Sequence, residues 1–256
     1  MDICYSFYKL ENLGCGYFDD SIETVFVIVC CFHNNYYRYN DVVQKIKTQR
    51  IHKNCIIVRN KGYKNCNKSL TVTNSTYDLS HAVKTICEYA RNMKNILILE
   101  DDFFFDKQRL EDSHKSINNF LKFQAFDIYS FGSATYLCNP FNVHQRCVGL
   151  HSSAAFVYSL RGRKRFIENY EANEGKVCAD LWTYSYPTYL FYRYYIPICY
   201  QLFNETENKK VWANPLANSI IKLIGIDKKY QPGWDIIYFL NILSFILVFI
   251  IVMSKV

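Results

Sequence analysis

The sequence predicts an α/β fold built on a mainly parallel, Rossmann-like sheet, with a transmembrane helix near its C-terminal end. Three observations support this prediction. Short β-branched apolar runs alternate with polar stretches of helical periodicity. The 256 residues, half of them hydrophobic, suffice for one large core. The last long apolar run carries no formal charge. We therefore expect one globular domain over residues 1–230 and a membrane anchor over 236–253.

The first strand is predicted at Val25–Phe32, which reads VFVIVCCF. A continuous apolar run of this length is typical of a strand that is covered on both faces of its sheet. A helix should follow and end near Arg50. Further short apolar runs predict strands at Cys55–Val58, Ile96–Leu99, Phe126–Phe131 and Ala154–Tyr158.

The clearest helix is predicted over Asp78–Met93, where apolar residues recur on one face at helical spacing. Ser75, Thr76 and Asp78 offer side-chain oxygens that could cap its first turn. Two further helices are predicted at Arg161–Tyr170 and Leu181–Tyr192.

Charge and cysteine usage limit the classes of partner and compartment. The net charge of +7 arises from 30 basic and 23 acidic residues that are spread along the chain, so we expect no nucleic-acid partner. The nearest basic run, Arg161–Arg165, is interpreted as the solvated start of a helix. No two of the 11 cysteines are spaced as C-x-x-C, and we interpret them mostly as buried thiols in a reducing compartment.

The apolar run Ile236–Met253 is close to the length that crosses a bilayer as a helix. A buried core helix is the alternative. No signal peptide is apparent at the N-terminus, which suggests tail anchoring. Lysines 222, 228 and 229 precede the run and only Lys255 follows it, so the positive-inside bias predicts a cytosolic domain. Glycosylation sequons at Asn67, Asn74 and Asn204 point the other way.

Three consecutive carboxylates, Glu100, Asp101 and Asp102, directly follow the predicted Ile96–Leu99 strand. Open α/β sheets bind ligands at the carboxyl ends of their strands, and adjacent carboxylates repel one another unless a cation is present. Hard oxygen ligands suit Mn²⁺ or Mg²⁺ together with substrate phosphates. The triplet therefore predicts a site for a metal and a diphosphate, with a solvated acidic turn as the alternative. The phosphate-binding P-loop, the dinucleotide fingerprint, the zinc helix and the G-x-S-x-G elbow are all missing.

The order of several motifs resembles glycosyltransferase family 25, which includes lipooligosaccharide and collagen-type galactosyltransferases. The matching segments are Leu79-Ser80-His81, Ile98–Asp102, His151–Ser159, Ala179-Asp180 and Tyr195–Gln201. The family's arginine-rich stretch after the first strand is reduced here to Arg38. The resemblance implies a GT-A-type fold, a nucleotide-sugar donor such as a UDP-sugar, a divalent metal, and transfer to an acceptor hydroxyl of a glycan, lipid or protein.

The resemblance and the acidic triplet together assign roles to six residues. Asp102, assisted by Glu100, is expected to hold the metal. Glu100, Asp101, His81 and His151 are expected to contact the donor, and Asp180 is the candidate general base for the acceptor hydroxyl. A helix N-cap is an equally good explanation of Asp180, and a structural hydrogen bond is an equally good explanation of His81.

Two other functions stay open at this point. A catalytically degenerate relative could act as a membrane-bound binding or scaffolding protein. A different metal-dependent enzyme, such as a nucleotidyl- or phosphotransferase, could use the same carboxylates.

Overall fold

The computed structural model describes residues 4–18, 20–30, 36–132, 134–151, 155–177, 189–201, 219, 222–226 and 231–254. Within these ranges the helices are α1 Tyr36–Gln49, α2 Ser75–Tyr89, α3 Lys107–Phe123, α4 Leu160–Ala172 and α5 Gly233–Met253. The strands are β1 Tyr5–Leu10, β2 Thr24–Cys30, β3 Cys55–Asn60, β4 Ile96–Glu100, β5 Phe103–Phe105, β6 Ile128–Ser130, β7 Ala134–Tyr136, β8 His144–Arg146, β9 Gly149–His151, β10 Ala155–Tyr158, β11 Phe191–Tyr194 and β12 Cys199–Gln201.

The central sheet has eight strands in the order β1-β3-β2-β4-β10-β6-β11-β8. Strands β2, β3, β4, β6 and β11 point in one direction, whereas β1, β10 and β8 are antiparallel to their neighbours. The α/β class is therefore confirmed, and the sheet that was predicted to be mainly parallel is mixed, with three parallel and four antiparallel strand pairs. Two small sheets, β5–β12 and β7–β9, lie beside it.

Strand β2 shows why the sheet is covered on both faces. Val25, Val27 and Val29 belong to one core cluster, and Phe26 and Ile28 belong to the other. Side chains alternate across a strand, so a continuous apolar run supplies both faces at once. Helices α1 and α3 contribute to the first cluster, and α2 and α4 contribute to the second.

Helix α2 begins three residues before the predicted Asp78. Its N-cap is Asn74, whose side chain accepts a hydrogen bond from the backbone N–H of Tyr77 at 3.0 Å. The predicted capping role of Ser75, Thr76 and Asp78 is therefore wrong. Asp78 is instead buried and used inside the protein.

The predicted helix at Leu181–Tyr192 is wrong where the structure describes it. Residues 181–188 lie outside the described part of the chain, but Phe191–Tyr194 forms β11, which pairs with β6 and β8. Phe191 is fully buried in the sheet, and this pairing overrides the helical spacing of its apolar residues.

The basic run at the start of α4 is only in part the solvated face that was predicted, because Arg161 and Lys164 are exposed whereas Arg163 is buried. Arg161 and Arg165 both pair with the fully buried Asp127, at 2.6 and 2.8 Å. Arg163 is 1% exposed and donates to the carbonyl oxygens of Lys94 and Tyr158. These charges attach α4 to the body because the carboxylate and the carbonyls beneath it need donors.

One cysteine pair departs from the prediction of reduced thiols. Cys4 and Cys66 form a disulfide with their Cα atoms 5.6 Å apart, because the loop after β3 returns beside the start of β1. Seven further cysteines of the described residues are not disulfide-bonded, and five of those are buried as predicted.

Helix α5 is long and apolar enough to span a membrane, with a mean hydropathy of 2.9 in its most apolar window. Only 6% of that window is buried inside the protein. This exposure is unlike that of a core helix, which was the alternative interpretation.

Candidate functional site

The acidic triplet lies where the sequence places it, at the carboxyl end of an interior strand. Glu100 is the last residue of β4 and lies opposite Ile28 of β2. Asp101 and Asp102 form the turn that leads into β5. The apolar runs on both sides of the triplet are buried, so the turn is held between two packed strands.

Asp102 has the most unusual environment of the three carboxylates. It is 5% exposed, and neither carboxylate oxygen has a hydrogen-bond partner of normal geometry among the described residues. Burial raises the pKa of Asp102 to about 7, and the neighbouring Asp101 adds to this shift. The Gln201 amide and Arg38 lower the pKa but do not return it to its usual range.

Asp101 is engaged by helix α1 and by β2. Its Oδ2 atom accepts from Arg38 Nη1 at 3.2 Å and from the backbone N–H of Cys30 at 3.4 Å. Its carbonyl oxygen accepts from Lys45 Nζ at 3.3 Å. Two cationic side chains therefore converge on Asp101, and Lys45 also pairs with Asp41 at 2.6 Å.

The chemistry of Asp102 fits a hard divalent cation. A buried carboxylate without a donor is costly, and a bound cation would compensate for it. Among the described residues no group of three or more His, Cys, Asp and Glu side chains surrounds one point. Mg²⁺ and Mn²⁺ sites commonly use one or two carboxylates together with phosphate oxygens. Asp101 is paired with Arg38, so it is less available to a cation. The half-buried Glu100 is the next carboxylate in sequence that could assist Asp102.

His81 lies on α2, and the start of α2 is tied to the carboxyl end of β3 by a hydrogen bond between Asn60 and Asp78. It therefore belongs to the same edge of the sheet as the triplet. Its Nδ1 atom shares a hydrogen bond of 2.8 Å with the Tyr5 hydroxyl, and its ring stacks on the Tyr5 ring. Burial lowers the pKa of His81, assisted by the positive charge of Lys68, so the imidazole is neutral at pH 7. The bond to Tyr5 is the structural hydrogen bond that was the alternative explanation of His81. The predicted contact of His81 with the donor remains a prediction.

A buried ion pair beside His81 was not predicted from the sequence. Lys68 Nζ donates to Asp78 and to Asn60, and it lies 4.6 Å from the centroid of the Tyr5 ring. Both charged side chains are almost fully buried. Asn60, which accepts from Lys68, lies opposite Cys30 in the β2–β3 pairing, so this cluster borders the strand end that contacts Asp101. The sequence offered one signal, a carboxylate at position 78 on the apolar face of α2.

Two predicted site residues cannot be placed. Asp180 lies outside the described residues. The backbone of His151 ends β9 and pairs with Ala134, but its side chain lies outside the described part. The predicted general base and one donor contact therefore stay predictions.

An open cleft of about 720 Å³ lies at the opposite, amino-terminal edge of the sheet. Four of the five charged side chains that line it are bonded to other groups of the protein. Glu23 accepts from the backbone N–H of Lys94 at 2.8 Å, and Lys122 pairs with Asp20 at 3.4 Å. The cleft does not adjoin the triplet, so it is not part of the candidate site.

Comparison with known proteins adds little to this geometry. No family model and no curated protein matches the chain. Among solved structures, the crystal structure of A197 from STIV aligns with a TM-score of 0.35 and 10% sequence identity, covering 71% of this chain and 86% of that chain. A similarity at this level carries no argument about fold family or function.

Proposed function

We propose that this chain is a membrane-anchored glycosyltransferase that moves a sugar from a nucleotide-sugar donor, such as a UDP-sugar, to an acceptor hydroxyl on a glycan, lipid or protein. The observation that carries the proposal is Asp102, a buried carboxylate at the carboxyl end of β4 whose oxygens have no hydrogen-bond donor of normal geometry among the described residues. Mn²⁺ or Mg²⁺ bound together with a donor diphosphate would place a positive charge beside this carboxylate.

Asp102 and Glu100 are the residues that would hold the metal. The bound cation would supply charge neutralisation for the diphosphate leaving group. Arg38 and Lys45 add positive charge at Asp101, where they can orient an anionic donor. Asp180 is proposed as the base that takes the proton of the acceptor hydroxyl.

Donor binding is tested by thermal unfolding of the full chain in detergent, with nucleotide sugars in the presence and absence of Mn²⁺. The full chain is needed because α5 contacts the body. A ligand specific for the folded state stabilises it by about 3 kcal/mol at roughly 100 times its Kd. We expect a shift with one nucleotide sugar only when metal is present, and its loss in Asp102→Asn.

The matched control is Asp112→Asn, which removes an exposed carboxylate on α3. This variant should keep the metal-dependent shift. If Asp102→Asn also keeps it, the metal assignment is wrong. Analysis of the released nucleotide then separates sugar transfer from nucleotidyl or phosphoryl transfer.

One observation favours the catalytically degenerate alternative. Arg38 pairs with Asp101, so one carboxylate of the triplet is already neutralised by the protein itself. If this pair replaces the metal, Mn²⁺ should have no effect on donor binding, and Arg38→Met should create a metal dependence. If Arg38 instead serves the donor, Arg38→Met should weaken donor binding.

Membrane attachment through α5 is part of the proposal, and the side of the membrane is a separate question. The lysine bias predicts a cytosolic domain, whereas the Cys4–Cys66 disulfide is typical of an oxidising compartment. Asn67 is exposed next to that disulfide and lies in a sequon. A glycan at Asn67, removed by Asn67→Gln, would place the domain in the lumen and exclude the cytosolic orientation.

A further inference from the structure

Helix α5 is attached to the body along its first half. Trp234, Tyr238 and Asn241 are 1%, 3% and 8% exposed. Asp235 forms a two-bond ion pair with Arg109 of α3, at 2.7 and 3.0 Å. Buried aromatic rings together with a bidentate ion pair fix the direction of the helix relative to the body.

The opposite face of the same half is apolar and exposed. Its four large side chains are between 36% and 58% exposed, and they are Ile236, Phe239, Leu240 and Leu243. Their spacing places them on one stripe of the helix. The stripe continues into the end of the helix, where every residue from Ile246 to Met253 is exposed. An apolar surface of this length matches the hydrocarbon core of a bilayer, and its first half lies directly beside the body.

The loop between β7 and β8 extends along this helix. Phe141 at its tip is 77% exposed, and Val143 is 48% exposed. The Phe141 ring lies 6.5 Å from the ring of Phe245, in an edge-to-face arrangement. Phe245 is about 13 Å further along the helix axis than Ile236, at the usual rise per residue. The loop tip is therefore level with the middle of the apolar segment.

The loop backbone is partly prepared for an apolar environment. The N–H of Phe141 donates to the side-chain oxygen of Asn139 at 3.0 Å, and the N–H of Asn139 donates to the carbonyl of Arg146 at 2.9 Å. Non-helical backbone at membrane depth must have its polar groups satisfied by the protein.

We propose that the loop 139–143 enters the lipid bilayer beside α5, with Phe141 and Val143 in contact with acyl chains. The partner is the hydrocarbon of the membrane. The continuous apolar surface from Phe141 through Phe245 to the helix end specifies it. The protein is then partly embedded and held in one orientation, which a flexible tether would not achieve.

Depth-dependent quenching of tryptophan fluorescence tests this in the full chain, reconstituted into phosphatidylcholine vesicles with and without bromine at mid-chain positions. Phe141→Trp reports the loop, and Phe245→Trp reports the helix. Phe123→Trp is the matched control, because Phe123 is 78% exposed at the far end of α3. The emission of the native tryptophans is subtracted with the parent protein, and Val143→Trp replaces Phe141→Trp if the latter unfolds.

We expect bromine to remove the same fraction of the added emission at positions 141 and 245, and none at position 123. Quenching at 245 without quenching at 141 would overturn the proposal, because the helix would then leave the body when it inserts. Quenching at neither position would overturn it as well, since α5 would not lie in the bilayer. Equal quenching at 123 would indicate unspecific adsorption of the whole body and would also contradict it.

Discussion

At the scale of single residues, Asp102 is a carboxylate that destabilises the folded protein when it is ionised. Its pKa is raised from 3.8 to about 7, so the folded state binds its proton more tightly than the unfolded chain does. The penalty is absent below pH 4 and grows as the pH rises to 7, reaching at most about 4 kcal/mol for a shift of this size. A residue retained at such a cost is typical of a binding site.

We therefore expect Asp102→Asn to raise the melting temperature of the metal-free protein at pH 8 and to leave it nearly unchanged at pH 4. Thermal unfolding of both proteins across this range checks the prediction. Asp112→Asn should show no such pH-dependent gain, because its carboxylate is exposed. Destabilisation by Asp102→Asn at pH 8 would mean that the carboxylate has a structural partner.

Substitution within the buried pair of Lys68 and Asp78 should destabilise the folded protein, in contrast to Asp102→Asn. Both side chains are buried, so removal of one partner leaves an uncompensated charge. Lys68→Met should lower the free energy of unfolding by about 3–5 kcal/mol. The exposed Lys64→Met should change it by less than about 0.5 kcal/mol.

Denaturant unfolding measures these differences. Adding Asp78→Asn to Lys68→Met should restore part of the loss, because the double variant no longer buries a lone carboxylate. A single variant as stable as the parent would show that the pair contributes nothing.

At the scale of elements, the disulfide joins the start of β1 to the loop that carries Lys68. The two cysteines are 62 positions apart, so their bond restricts a long segment of the unfolded chain. We expect Cys4→Ser to lower the free energy of unfolding by about 2–4 kcal/mol. The exposed Cys15→Ser should have no comparable effect.

The stabilisation by the disulfide can also be measured by unfolding the parent protein with and without a reductant. The reductant should destabilise the parent and leave Cys4→Ser unchanged. Alkylation of the denatured, unreduced protein should leave both cysteines of the pair unmodified. Full alkylation of all 11 cysteines would contradict the disulfide.

The elements that the sequence predicted well are those whose local pattern and tertiary role agree. Strands β2 and β4 are buried on both faces, so their apolar runs are uninterrupted. Helix α3 was not predicted because it buries one narrow stripe of five residues within a polar sequence. The predicted helix Leu181–Tyr192 overlaps strand β11 at Phe191 and Tyr192. The next strand residue, Arg193, is buried and bonded to Gln145 and Thr135, which the sequence pattern does not indicate.

The candidate site, too, was predicted only where a local sequence pattern determines it. The position of the triplet followed from the apolar run before it, but Gln201, which lowers the pKa of Asp102, lies 99 positions later in the chain. The Arg38–Asp101 pair likewise joins segments that are 63 positions apart in sequence. The sequence shows which residue types are present, but the desolvation of a charged side chain depends on which segments the fold brings around it.

At the scale of the whole molecule, the first half of α5, the helix that is long and apolar enough to span a membrane, completes the protein core. Trp234 packs with Tyr200 of β12 and with Ile226, and β12 pairs with the strand that follows the triplet. Truncation after residue 230 removes these contacts. We expect it to destabilise the body by at least about 3 kcal/mol, the usual loss for a buried aromatic side chain.

Truncation after Phe245 is the matched control, because it removes only exposed residues of α5 and keeps the attached half. Thermal unfolding of the three proteins in one detergent should therefore group the 245-residue form with the full chain, and separate both from the 230-residue form. Equal stability of all three would show that the attached half adds nothing to the body. In that case the helix would be a tether, and the position of the acidic triplet relative to the membrane would no longer be fixed by the fold.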